Sequence, residues 1–287
     1  MPHSVSPQDV YCTSGNSPTV RSYGPESGPV VLVLGGISAS PDLHWWPGIV
    51  GPGAPVDLSR YRVLSVGWIT HHDATPHTQA RRILEVLDDL GITRLHAAVG
   101  CSYGGMVALA LGEIAPARAG RIVAIAAAHR PHPLATAWRW IQRRVALFGE
   151  RGEGLALARA LAMTSYRSAR ELDARFAGRT EALEAWLSHH GEKFSEQFTA
   201  DEFVALSGAI DRHRVEPEGI HSPTTVVGFD SDQLAPPWLL DELCSRLPRS
   251  ERVELKTVYG HDGFLKETAL LAPILRRVLT EELEVAA

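Results

Sequence analysis

Six short apolar runs, each closed by turn residues, limit what this chain can fold into. They span 30–34, 62–66, 95–100, 121–126, 224–228 and 252–258. Most are continuous rather than alternating, as strands covered on both faces require. Between them lie stretches of helical periodicity at 78–90, 104–114, 239–247 and 267–283. In the first of these, Ile83, Leu84, Leu87 and Leu90 fall on one face. Such alternation predicts an α/β fold with a parallel sheet, flanking helices and right-handed crossovers. The opening to Gly28, rich in Ser, Pro and Gly, reads as a mobile end or a weak hairpin.

The alternation stops between His129 and Pro223. There the pattern is helical only, at 133–147, 155–166, 179–190 and 201–211. Roughly ninety residues exceed what one crossover between parallel strands needs. The segment is therefore expected to leave the sheet as a helical cap and return. The expected organisation is a core part over 1–130, a cap over 131–220 and a second core part over 221–287.

The sharpest local signal is Gly100-Cys101-Ser102-Tyr103-Gly104-Gly105, entered from an apolar strand and followed by a helix of small residues. This is a G-x-S-x-G elbow in the context it needs. A sharp strand-to-helix turn strains the serine, and glycines around it relieve crowding. The hydroxyl then stands at a helix N-terminus, where backbone N–H groups can hold an oxyanion. The second donor is expected from the glycine-rich turn after the first strand, near Leu34 or Gly35, with Tyr103 supplying the first.

A nucleophilic serine needs a base, and the base needs an acid to orient it. The pattern resembles that of the α/β-hydrolases, in which the chain order is serine, acid, histidine. Downstream, Val226-Val227-Gly228-Phe229-Asp230-Ser231-Asp232 reads as a strand ending in acids, and Val258-Tyr259-Gly260-His261 as a strand ending in a histidine. Ligand sites of parallel sheets lie at such C-terminal ends. Ser102 is assigned as nucleophile, His261 as base and Asp232 as the orienting acid, with Asp230 as the rival.

Composition narrows the function classes. The 287 residues are 45% hydrophobic and 21% charged, an ordinary globular balance. A net charge of −5 gives no basic excess, so no nucleic-acid partner is expected. No run approaches the ~20 apolar residues of a membrane span. Residues 1–10 lack the basic and apolar stretches of a secretory leader. Cys12, Cys101 and Cys244 cannot all pair and lack metal-ligand spacing, so a reduced cytoplasmic setting and no metal site are expected. Cys12 and Cys244 read as small buried side chains.

The cap carries a closer resemblance. Leu157-Ala158-Arg159-Ala160-Leu161-Ala162-Met163-Thr164-Ser165-Tyr166-Arg167-Ser168 is similar to the cap helix of the homoserine O-acyltransferases of methionine biosynthesis. Arg175-Phe176, His190-Gly191-Glu192-Lys193-Phe194 and Phe198-Thr199-Ala200-Asp201-Glu202-Phe203 follow in that family's order. Ser231-Asp232-Gln233-Leu234-Ala235-Pro236-Pro237 and Gly260-His261-Asp262-Gly263-Phe264-Leu265 complete it.

The resemblance implies an α/β-hydrolase fold with an inserted helical cap. It implies acyl transfer from acyl-CoA, acetyl-CoA above all, to the hydroxyl of L-homoserine through an acyl-Ser102 intermediate. Acyl-CoA enters as co-substrate, with no other cofactor. Arg159 and Tyr166 match cap residues that reach the active-site tunnel; seven residues apart on a helix, they share a face. Asp262 matches the acid that meets the homoserine ammonium. Leu234 matches the position that selects the acyl donor, where an arginine favours succinyl and an apolar residue acetyl. A homodimer through the cap is also implied.

Two departures stand out. Where that family carries a longer loop after its second core strand, with an Asn and a Gly-Ser-Thr-Gly-Pro run, this chain has only Gly67-Trp68-Ile69-Thr70-His71-His72-Asp73. The elbow holds Tyr103 where the family usually has Met, and the phenol ring is expected beside the acyl pocket. Both leave a serine-type or other amino-alcohol acceptor open; succinyl transfer and plain ester or thioester hydrolysis stand as separate alternatives.

Overall fold

The aliphatic runs do form strands. The structure, a computed structural model, describes residues 8–10, 19–149 and 152–281. β1 (Gln8–Val10) pairs antiparallel with β2 (Val20–Tyr23). Cys12 lies outside the described residues. β3 (Val30–Leu34), β6 (Arg62–Val66), β7 (Ala97–Cys101), β8 (Ile122–Ile125), β9 (Thr224–Phe229) and β10 (Ser250–Leu255) run parallel to one another. Together they make an eight-stranded sheet in the order β1-β2-β6-β3-β7-β8-β9-β10. Two short strands, β4 (Val50–Gly51) and β5 (Val56–Asp57), pair separately.

The sheet is covered on both faces, which is why its strands read as continuous apolar runs. Leu32, Leu34, Leu64, Ala98, Ala124 and Val226 point to one side, into a core with α1 (Pro76–Asp89), α2 (Tyr103–Ile114) and α8 (Pro237–Arg246). Val31, Val33, Val63, Val99, Val123 and Val227 point to the other, against α10 (Thr268–Thr280) and the packed segment around Trp46 and Tyr61. α1 starts two residues before the periodicity does. Thr75 caps it by accepting from Thr78 N–H, and Pro76 suits the first turn.

Between β8 and β9 the described residues form five α-helices: α3 (Pro133–Ala146), α4 (Glu153–Tyr166), α5 (Ala169–Phe176), α6 (Thr180–Ser195) and α7 (Ala200–Asp211). Their own apolar core is small: Ala146, Leu155, Ala158, Phe194 and Phe203. Polar contacts supply the rest of the join. Asp211 at the end of α7 accepts from Arg139 Nε at 2.7 Å and Arg143 Nη1 at 2.6 Å, both from α3.

One expected strand is corrected. The run 252–258 does not stay in the sheet: β10 ends at Leu255. Beyond it the backbone is captured by side chains near the end of β9. Thr257 N–H donates to Asp230 Oδ1 at 2.9 Å and Gly260 N–H to Ser231 Oγ at 3.1 Å. His261 therefore sits on a 3-10 turn, Gly260–Asp262, which leads into the short helix α9 (Gly263–Lys266) rather than on a strand end.

Candidate active site

Ser102 occupies the turn between β7 and α2 with φ 53° and ψ −117°. Left-handed φ at a non-glycine residue is strained, of order 1–3 kcal/mol, and persists only where the surroundings enforce it. Here they do. A side chain at Gly100 would meet the carbonyl of Gly104 at 2.2 Å, and one at Gly104 would meet that of Leu34 at 2.4 Å. Strand end and helix start are pressed together, and the serine is the residue forced outward. Its hydroxyl lies 2.7 Å from His261 Nε2. His261 Nδ1 lies 2.8 Å from Asp232 Oδ2. A carboxylate only accepts, so Nδ1 carries the proton and Nε2 is left as acceptor for the serine hydroxyl.

Asp232 is itself fixed: its Oδ1 accepts from Leu234 N–H at 2.8 Å and Ala235 N–H at 3.1 Å. Asp230 instead accepts from Thr257 N–H and takes no part. Burial by itself lowers the His261 pKa. The charge and hydrogen bond of Asp232, with the charge of Asp262, outweigh burial and leave it raised above its ordinary 6.5.

A cavity of about 50 Å³ opens above Ser102 between the sheet edge and the cap. Ile37, Met106 and Ala126 line it from the core, and Leu234 from the turn after β9. The cap contributes Trp138, Arg139, Gln142, Ser165, Tyr166, Phe203 and Ser207 among others. Tyr166 also lies 6.1 Å from the His261 ring, centroid to centroid.

Arg159 stands behind Tyr166, its Cζ 5.3 Å from that ring and 4.8 Å from the ring of Phe194. Among the described residues it has no carboxylate partner. The neighbouring His190 is pushed down to about 4, by burial and then by the charge of Arg159. Asp262 is buried beside His261 with Arg167 Nε 2.9 Å from its Oδ2. Burial raises its pKa, against the lowering charges of Arg167, His261 and Arg159.

The turn after β3 meets the elbow at Gly35, whose carbonyl accepts from Gly104 N–H at 2.9 Å. Leu34 is buried in the core, and the turn reaches the cavity at Ile37. The Tyr103 N–H opens α2, where no intrahelical acceptor exists.

The expectation for the Tyr103 ring is corrected. It is fully buried in the core below, edge-on to Trp68 at 4.9 Å, and does not line the cavity. Trp68 lies on the short loop after β6 and donates to Gly36 O at 3.0 Å, so that loop braces the turn after β3. Sequence reasoning missed Met106, Arg139 and Gln142. For the last two a signal existed. Ala135, Arg139, Gln142 and Ala146 form the buried stripe of α3, and a charged residue on such a stripe calls for a partner.

Residues 29–268 match the profile of the alpha/beta hydrolase fold family, and the chain belongs to it. Curated relatives narrow the class. A homoserine O-succinyltransferase of Xanthomonas campestris pv. campestris is 38% identical over 89% of this chain and 77% of its own. A homoserine O-acetyltransferase of Thermus thermophilus is 33% identical over 80% of this chain and 70% of its own. The chain is a member of the homoserine O-acyltransferase branch of that superfamily.

Solved structures repeat the fold. The homoserine O-acetyltransferase from Bacillus anthracis superposes with TM-score 0.82 at 17% identity, covering 93% of each chain. Esterase E22 superposes with TM-score 0.81, also at 17%, covering 96% of this chain and 99% of its own. Among the described residues no helix is long and apolar enough to cross a membrane.

Proposed function

We propose that the protein transfers an acyl group from acyl-CoA to the hydroxyl of homoserine, a step of methionine biosynthesis, through an ester on Ser102. The observation that carries this reading is the relay from Asp232 through His261 to Ser102, at 2.8 and 2.7 Å, beneath a polar cap cavity. His261 takes the proton of Ser102 as its oxygen attacks the thioester carbonyl. The tetrahedral oxygen would be held by the N–H of Tyr103 and by the turn at Leu34 and Gly35, which faces the cavity through Ile37. The C–S bond breaks, the proton passes to the departing thiolate, and the acyl group stays on Ser102. Homoserine then loses its hydroxyl proton to His261 and attacks the ester. Collapse returns that proton to Ser102 and releases the O-acyl product.

Water competes for the same ester. Homoserine would win by being held: Arg159, lacking an acid partner, takes its carboxylate, and Asp262 shares its charge between Arg167 and the ammonium. Leu234 on the cavity wall supports an acetyl donor, because it offers no charge to a longer acid. A second reading, succinyl transfer, rests on Arg139 in the same cavity and is taken up below. A homodimer through the cap is proposed on the resemblance, with the exposed apolar face of α3 as the contact.

Acetyl-CoA and succinyl-CoA tested against homoserine, serine and water decide the reading. Homoserine should accelerate coenzyme A release and appear as its O-acyl ester. Release indifferent to homoserine, with free acid as the product, would make the enzyme a hydrolase.

A further inference from the structure

Arg139 is a buried cation on the inner stripe of α3, and it lines the cavity that holds Ser102 and His261. Its guanidinium is half committed. Nε donates to Asp211 Oδ1 at 2.7 Å and Nη2 to Thr136 Oγ1 at 3.3 Å. Nη1 has no hydrogen-bond partner among the described residues, and it is not sealed from solvent-sized space. Asp211 is shared with Arg143, which also donates to it at 2.6 Å, so the cluster keeps one positive charge in excess. Among the described residues no carboxylate lines the cavity; Gln142, Ser165 and Ser207 add neutral polar groups to it. A pocket lined by a guanidinium with an unpaired edge and, among the described residues, by no acid is complementary to a carboxylate.

We propose that Arg139 receives the free carboxylate of a dicarboxylic acyl group, a succinyl unit carried as its ester on Ser102, and thereby sets the donor. This rests on the acyl-Ser102 reading above. An acetyl group ends in a methyl and offers Nη1 no acceptor, so it gains nothing from the guanidinium. A succinyl group ends in the acceptor that this edge lacks. The chemistry at Ser102 is the same for both: the carbonyl carbon leaves sulfur for Oγ, and the proton goes by way of His261 to the thiolate. Leu234 is then the apolar wall beside the chain, and the charge comes from α3.

The test uses the whole enzyme without acceptor, following coenzyme A release and the mass of the acylated protein with each donor. Wild type should be acylated faster by succinyl-CoA. Arg139→Gln should lower the ratio of succinyl to acetyl acylation roughly ten- to hundredfold, the range of a charge-assisted hydrogen bond. Arg139→Lys keeps the charge but loses the fork, and should fall between the two; it also serves if the Gln variant does not fold. Equal loss with both donors would make Arg139 a structural residue and overturn the proposal. So would an unchanged ratio accompanied, in a separate steady-state assay with homoserine added, by a raised KM for homoserine, which would give Arg139 the acceptor's carboxylate. Acylation of wild type by acetyl-CoA alone overturns the donor assignment but leaves the acyl-enzyme standing. Acylation by neither donor removes both.

Discussion

His261 has Asp232 at 2.8 Å on one ring nitrogen and Asp262 as its neighbour in the chain. A base must be neutral to act, and these charges favour the protonated ring over burial. The first half-reaction should therefore rise with pH through a midpoint above 6.5, read as the rate of coenzyme A release. Asp232→Asn removes the largest raising influence and leaves burial, so the midpoint should move below the ordinary imidazole value. The rate itself should drop by about 10⁴-fold as the tautomer is lost. A midpoint that stays put would mean that Asp232 does not set the proton affinity of His261. Ser102, Asp232 and His261 were legible in the sequence because each follows an apolar run at a recognisable turn. The choice between Asp230 and Asp232 was not settled there. Two positions apart, they differ only in which one the folded backbone turns toward the imidazole.

At the scale of elements, α3 and α7 are held by a buried charge cluster as much as by apolar packing. Asp211 serves Arg139, Arg143 and Thr136 at once, and its side chain is 14% exposed. Asp211→Ala should strand two arginines near a closed cavity and cost about 3 kcal/mol, the scale of breaking one partner from a buried pair. Urea unfolding measures this; a change below ~1 kcal/mol would mean that water compensates the guanidinium groups. The helices of the cap were readable from periodicity, but α5 was not. It has only eight residues, and Ser168 starts it by accepting from Glu171 N–H, a cap buried beneath the neighbouring turn. The role of α3 was hidden for a related reason. Its sequence shows a charged stripe, but only packing tells which face is the inner one.

Over the whole molecule, the cap leaves apolar side chains in the open. Leu134, Trp140, Ile141, Leu147 and Phe148 at α3 are 44–65% exposed, and Leu157 on α4 is 62% exposed. Leu134 and Ile141 lie two turns apart on one face of α3, and Leu147 and Phe148 follow just beyond its end. A patch of this kind favours association, and a second copy docking there is the dimer proposed above. Replacing Trp140 and Phe148 together by Glu should shift the protein to monomer in sedimentation, with the fold retained by circular dichroism. A wild-type protein that sediments as a monomer would remove the proposal.

Local signals decided the order of strands and helices, the elbow and the candidate relay, because a turn, a period or a strand end is written within about ten residues of chain. The sequence alone also showed the strand pattern stopping between His129 and Pro223, where α3 to α7 lie. What it could not determine is what lies across the cavity from Ser102. Arg139 and Tyr103 show the reason from opposite sides. The arginine, remote from the elbow in sequence, is brought to the cavity by α3, while the tyrosine beside the nucleophile is turned into the core by the start of α2. Side-chain direction there depends on how helices pack against the sheet, and that is fixed only when distant segments close on one another.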